Sequence, residues 1–231
     1  MNRATIVVFL ILFLQPLQAS ELNSSIALLE STWTKLYYQS DEGQQKQAYP
    51  RLLEQAADLV KRFPAAAEPK IWLATIMATN AAFEPSLTAL STLNRAREEL
   101  EESIRIDPKA LEGAAYVTLG TLYYMLPGWP VSFGDNDKAE QLLKVSLQIN
   151  PKGIDANYFY ADFLLRQDRA AEAEVFFLQA IQFPVRKHQA YADMQLQNEA
   201  KSGLLYAQQK KSGTGKNRFQ SLFTTAAVES D

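Results

Sequence analysis

The chain of 231 residues contains no cysteine and a single histidine, His188. Without cysteine it has no means of forming a disulfide, a thiolate zinc site, an iron–sulfur cluster, a cysteine nucleophile or a lipid-anchored cysteine. His188 stands beside Arg186 and Lys187 at a predicted helix start, and no second histidine accompanies it to complete a metal site. We therefore interpret it as a surface residue and predict no metal and no cofactor.

The sequence also lacks an excess of basic charge and the common catalytic motifs. Its net charge is −3, whereas nucleic-acid-binding domains usually carry a basic patch. The four carboxylates of residues 98–102 lie among Arg95, Arg97 and Arg105, as on a solvated helix face, and no G-x-S-x-G, phosphate-binding loop or H-E-x-x-H occurs. We predict neither enzymatic activity nor nucleic-acid binding. Hydrophobic residues make up 47% of the chain, which is enough for a buried core.

Only one long apolar run is present, from Ala4 to Leu14, after Arg3 and before small residues that end at Ala19. This order of charge, apolar run and small residues is typical of a secretory signal peptide. The alternative is a membrane anchor, but eleven helical residues reach only about 16 Å, roughly half of a hydrocarbon core. We predict a signal peptide over residues 1–19 and a periplasmic protein that is not a lipoprotein.

Four amphipathic segments each end in a proline, and these prolines follow one another at intervals of 44, 43 and 33 residues: Pro64, Pro108, Pro151 and Pro184. Within the last three segments a small residue precedes a large apolar one by four positions, which places both on one helix face: Ala96 with Leu100, Ala139 with Leu143, and Ala173 with Phe177. Such intervals indicate repeated helix–turn–helix units. An unrelated helical bundle with chance spacing is the alternative.

The preceding helices carry a second pattern: Tyr116, Leu119, Gly120 and Tyr123 follow the order W-x2-L-G-x2-Y, with tyrosine in place of tryptophan. With both patterns in register, the sequence resembles the tetratricopeptide repeat family. The resemblance implies an all-α fold of helix–turn–helix repeats in a right-handed superhelix, with capping helices at both ends. We assign residues 20–210 to this repeat domain, with a polar link at residues 41–46, and residues 211–231 to a flexible tail.

Two insertions interrupt the repeats, near residues 83–86 and within residues 125–137, and insertions in such arrays often lie on the binding face. The second insertion holds Trp129 and Phe133 between prolines and glycines. These aromatic residues are either contact anchors for a partner or plugs between helices. Asp135 in the same stretch is either a helix cap, which we favour, or a calcium ligand.

The helix after Pro151 is unusually aromatic. Asp155, Tyr158 and Asp162 share one of its faces, and first helices line the concave groove in the tetratricopeptide family. These three side chains are therefore candidates for contact with a peptide or ligand. The alternative is that this helix contributes only core packing and ordinary surface.

The stretch LGTLYYMLPGWPVSFGDNDKAEQLLKVSLQINPKGIDANYFYADFLL is similar to the exported T-component (TatT) proteins associated with TRAP-type transporters. That resemblance implies binding to the transporter's periplasmic substrate-binding protein, a role with hydrophobic ligands and a homo-oligomeric assembly. The alternatives are a general cell-envelope assembly scaffold and a carrier of a small hydrophobic ligand. The candidate binding residues comprise those of the groove and a possible cavity: Trp72, Tyr123, Tyr124, Trp129, Phe133, Asp155, Tyr158 and Asp162.

Overall fold

The computed structural model describes the backbone of residues 3–209 and the side chains of residues 19–209. Most of the predicted signal peptide's side chains and the predicted tail lie outside the described residues. Over the described backbone the chain forms nine α-helices: α1 (Arg3–Gln39), α2 (Glu42–Arg62), α3 (Glu68–Asn80), α4 (Ser86–Ile106), α5 (Ala114–Met125), α6 (Asn136–Ile149), α7 (Ile154–Arg166), α8 (Ala170–Gln182) and α9 (Ala190–Gln208). Short 3-10 turns, Ala81–Phe83 and Ala110–Gly113, precede α4 and α5.

Consecutive helices pack as pairs, because the connections between them are short. Each odd-numbered helix also contacts the next odd-numbered one, from α1 through to α9, so these five helices form an inner layer. The even-numbered helices cover that layer from outside. The predicted all-α, tetratricopeptide-type repeat architecture is confirmed. In addition, α1 contacts α9, so that the first and last helices of the inner layer meet.

The predicted repeat register is confirmed by the burial of its small and large residues. The six residues of the three pairs, from Ala96 with Leu100 to Ala173 with Phe177, are at most 1% exposed. Each helix that ends before one of the four prolines stops two residues ahead of it, as at Ile106 before Pro108. The reason is that a proline disfavours helical backbone in the residue before it.

Gly120 of α5 shows why the register requires a small residue at this position. A Cβ atom added there would lie 2.9 Å from Cγ of Leu143 on α6 and 3.3 Å from the carbonyl oxygen of Ala139. The two helices therefore approach so closely that α5 has no room for a side chain at this point. Ala139, 0% exposed, is the small partner on the α6 side of the same contact.

We expect Ala139→Leu to lower the free energy of unfolding by about 1–3 kcal/mol, because extra methylene groups in a packed interface force neighbouring side chains and backbone to move. Urea unfolding of the variant measures this loss. Gln148→Leu, at an exposed position of the same helix, is the matched control and should change stability little. Equal stability of the two variants would contradict the repeat register.

The predicted polar link at residues 41–46 is shorter than expected, since α2 already begins at Glu42. The physical reason is a helix cap: Asp41 Oδ1 accepts a hydrogen bond from the backbone N–H of Gln44 at 2.9 Å, and the Gln44 side chain accepts one from the Asp41 N–H. Gln45 then donates to three carbonyl groups at the end of α1. Polar residues that look like a linker thus cap two helices.

Candidate functional site

The inner helices line a partly open cavity of about 140 Å³, to which α1, α3, α5, α7 and α9 all contribute residues. It exists because α1 meets α9 and closes the inner layer. Aromatic side chains from three of these helices form one wall: Trp33, Tyr37, Tyr38, Trp72 and Phe159. Of the candidate residues chosen from the sequence, Trp72 and Asp155 line this cavity.

Trp33 lies at the centre of the aromatic wall. Its ring stacks on Tyr37 at 4.8 Å between centroids and meets Trp72 edge-on at 5.7 Å and Tyr38 at 6.3 Å. Its indole N–H donates to Thr79 Oγ1 at 3.2 Å, which fixes the ring. By contrast, the buried indole N–H of Trp72 has no acceptor among the described residues.

Arg186 joins the turn before α9 to the carboxylates around it. Its guanidinium donates to Asp193 at 2.7 Å and lies 3.4 Å from Asp155 and 3.6 Å from Glu112. Burial opposes the charged guanidinium, but the attraction of these carboxylates outweighs burial and raises the pKa of Arg186 above its usual range. The positive charge of Arg186 is therefore already compensated within the protein.

Glu30 is the carboxylate that α1 contributes to the cavity. Burial raises the pKa of the Glu30 carboxyl above its usual value, and a hydrogen bond from Gln189 and the nearby His188 and Arg186 offset this only in part. Glu30, Trp33, Thr34 and Tyr37 follow the spacing i, i+3, i+4, i+7, which places them on one helix face. This spacing is visible in the sequence and indicates a shared helix face. The four residues were not predicted as a site because α1 lacks the repeat pattern.

Three of the predicted residues hold the inner helices together. The Tyr158 hydroxyl, on a side chain 2% exposed, donates to Glu199 of α9 at 2.8 Å. The Tyr124 hydroxyl donates to Asp162 of α7, also at 2.8 Å, and Asp162 accepts a further hydrogen bond from Arg166. Burial and the adjacent carboxylates raise the pKa of both tyrosines well above its usual value. Asp162, Tyr124 and Tyr158 thus connect α5, α7 and α9 beside the cavity.

The loop between α5 and α6 is tied down at its base. The Gly134 N–H donates to the Pro127 carbonyl and the Asp135 N–H donates to the Tyr123 carbonyl, both at 2.9 Å. The Phe133 ring packs edge-on against the buried Tyr123 at 5.4 Å between centroids, and the Arg97 guanidinium lies 4.6 Å from the Phe133 ring centroid. Phe133 is therefore a plug between helices.

Trp129, in the same loop, is exposed to solvent. Its side chain is 90% exposed, and Val131 beside it is 63% exposed. Trp129 does not line the inner cavity, so the structure does not bring it together with Trp72. The loop thus holds one partly buried aromatic residue, Phe133, which packs against Tyr123, and one exposed aromatic residue, Trp129, which can contact another molecule.

The predicted capping role of Asp135 is confirmed, because its Oδ1 accepts a hydrogen bond from the Lys138 N–H at 3.1 Å at the start of α6. Among the described residues, no three histidine, cysteine, aspartate or glutamate side chains cluster in a way suited to a metal ion. No helix in the described part of the chain has both the length and the apolar content required to cross a bilayer.

Paired helices in a recurring register around an inner layer form a tetratricopeptide-type repeat fold. Proteins with such repeats in general bind protein partners and are not enzymatic. Residues 131–195 match the tetratricopeptide repeat family. Among solved structures, a thermophilic TPR protein of Thermus thermophilus is similar: the two are 18% identical, with a TM-score of 0.49, over 78% of this chain and 91% of that one. No curated protein sequence matches the chain.

Proposed function

We propose that this protein is an exported, non-enzymatic tetratricopeptide-repeat protein that binds a protein partner in the periplasm through the loop that carries Trp129. The observation that supports this proposal is the 90% exposure of Trp129 on a loop fastened at its base. The apolar run from Ala4 to Leu14 supports export.

An exposed tryptophan on a fixed loop suits protein recognition for energetic reasons. Tryptophan offers a large contact area, and it is enriched among the few residues that dominate binding energy at interfaces. Because hydrogen bonds at Gly134 and Asp135 already hold the loop, binding costs little additional conformational entropy. Val131 extends the exposed apolar surface next to Trp129.

For the partner we propose the substrate-binding protein of a TRAP-type transporter, because the sequence of residues 119–165 resembles that of the T-component proteins. The inner cavity argues against the alternative of a carrier for large hydrophobic ligands. Its volume of about 140 Å³ is well below that of pockets for drug-sized molecules, roughly 300–1,000 Å³, and carboxylates line it.

We expect Trp129→Ala to weaken partner binding about thirtyfold or more, since truncation of a central interface tryptophan typically has an effect of this size. Because the side chain is 90% exposed, helicity and melting temperature should stay unchanged. The measurement is affinity capture of partners from periplasmic extract by the tagged chain from Ser20 onward, with mass spectrometry. Leu87→Ala, which truncates another residue that is 85% exposed, is the matched control.

The same capture separates the candidate partners. Recovery of a solute-binding protein that is lost with Trp129→Ala supports the transporter role, whereas recovery of envelope-assembly proteins alone favours a scaffold. If Trp129→Ala lowers the melting temperature and captures its partner normally, the loop has a structural role and the proposed interface is wrong.

A further inference from the structure

The inner cavity has an excess of negative charge. The described residues that line it include four carboxylates, Glu30, Asp155, Asp193 and Glu199, and one cationic side chain, Arg186. The Arg186 guanidinium contacts Asp193 at 2.7 Å and Asp155 at 3.4 Å, so these groups satisfy one another. Arg186 is consequently not available to attract an anion, and the cavity as a whole favours a cation.

The aromatic wall favours the same kind of ligand. The face of an aromatic ring carries partial negative charge and attracts ammonium and guanidinium groups within about 6 Å of its centroid, tryptophan most strongly. Trp33 lies at the centre of this wall and is only partly buried. Glu30 precedes it by three positions on α1, which places a carboxylate on the same helix face.

Two side chains of the cavity have unmet interactions. The Trp72 indole N–H is buried on a side chain 9% exposed and has no acceptor among the described residues, although buried donors in native proteins are almost always paired. Burial also raises the pKa of Glu30, so its charged form lacks full compensation in the protein alone. A ligand that brings a cation would supply the charge compensation that Glu30 lacks.

The size of the cavity limits the part of a ligand that enters it to a small group. A cavity of about 150 Å³ accommodates a molecule the size of benzene, and this one measures about 140 Å³. An alkylammonium group on a short chain fits that volume, and because the cavity is partly open, a larger molecule can place such a group inside it.

We propose that the cavity between α1, α3, α5, α7 and α9 binds a single alkylammonium group, with Glu30 as its counter-ion and Trp33 as its cation–π partner. The group arrives either on a free small amine or on the lysine side chain of a peptide, and the chemistry of recognition is the same. This site is separate from the Trp129 loop, so the inference does not depend on the proposed function.

The distribution of tryptophans provides a direct test. The chain has three, Trp33, Trp72 and Trp129, of which the first two line the cavity. In a Trp129→Phe background all tryptophan fluorescence therefore reports on the cavity. We expect n-butylammonium chloride to change this emission in a saturable way at constant ionic strength, while 1-butanol, its neutral counterpart of similar size, binds at least about tenfold more weakly.

A third probe, Nα-acetyl-lysine N-methylamide, distinguishes the two sources of the ammonium group. Binding about tenfold tighter than n-butylammonium indicates a peptide-borne lysine, because only a peptide-borne group gains further contacts through its amide groups. Equal affinity indicates a free amine. Absence of saturable binding by both ammonium probes, or equal binding of 1-butanol, overturns the proposal.

Variants test the role of the carboxylate. Glu30→Gln keeps the shape and removes the charge, and we expect it to weaken n-butylammonium binding about tenfold without lowering the melting temperature. Glu98→Gln makes the same change at an exposed position of α4 and should bind as the parent does. If Glu30→Gln fails to fold, Trp33→Leu tests the same site, and the fluorescence of Trp72 then reports the binding of n-butylammonium. Unchanged binding by the folded variant shows that the proposal is wrong.

Discussion

Replacing Arg186 by methionine is expected to lower the free energy of unfolding by about 3–5 kcal/mol, the usual cost of leaving one member of a buried ion pair without its partner. The partner left behind is Asp193, which is 0% exposed. Its carboxylate accepts hydrogen bonds from the Arg186 backbone N–H at 2.7 Å, from Nε at 3.1 Å and from Nη2 at 2.7 Å. Methionine fills much of the volume but neutralises no charge.

Urea unfolding of Arg186→Met measures this loss, and Lys187→Met, at the next and exposed position, is the control for removal of one positive charge. The double variant Arg186→Met with Asp193→Leu should recover much of the stability, because it removes the buried charge together with its partner. If the double variant is as unstable as Arg186→Met, the loss comes from packing and the ion pair is not its cause.

Arg186 has this effect because it connects distant parts of the fold. Besides Asp193 on α9 it lies 3.4 Å from Asp155 on α7 and 3.6 Å from Glu112 in the turn before α5. Loss of these contacts loosens α9 from the inner layer that α9 closes. The same variant should therefore change the environment of the cavity, because Arg186 and Asp193 both line it.

Repeat architecture was predictable from the sequence because its determinants are local and recur. The contact of Gly120 with Leu143 and Ala139 involves residues fewer than 25 positions apart, and the same small and large positions return at Ala173 and Phe177. A single match of this kind has little weight, whereas three in register constrain the fold. The ends of α2, α4, α6 and α8 were equally readable, since each of these helices stops two residues before a proline.

The inner cavity was not predictable, because it requires α1 to meet α9. Glu30 and Arg186 lie at opposite ends of the chain, and no periodicity within one repeat indicates that they share a cavity. Periodicity did place Asp155, Tyr158 and Asp162 on one face of α7. It did not show that α9 would cover Tyr158, whose hydroxyl reaches Glu199, while Asp155 would stay in the cavity. That distinction depends on the path of the last helix.

Truncation of Phe177 to alanine is expected to lower the free energy of unfolding by about 3–5 kcal/mol, as for other large aromatic residues in a core. The side chain is 1% exposed, so its removal leaves a cavity that the neighbouring helices fill only in part. Its ring lies 6.1 Å from that of Tyr158 on α7 and also contacts Gly203 on α9. Phe177 thus fastens the last repeat to the helix that caps it.

The close contact between Gly203 of α9 and the Phe177 ring allows a second test of the same packing. A Cβ atom added there would lie 2.4 Å from Cζ of Phe177, inside any acceptable contact distance, so Gly203→Ala should also destabilise the protein. Ser202→Ala, at the neighbouring exposed position of α9, is the control. Phe177→Leu removes the far edge of the ring, so Gly203→Ala should lower the free energy of unfolding less in a Phe177→Leu background than it does alone. The loss in the double variant should differ from the sum of the two single losses by more than about 0.5 kcal/mol. Additive effects in urea unfolding would mean that α9 does not pack on Phe177.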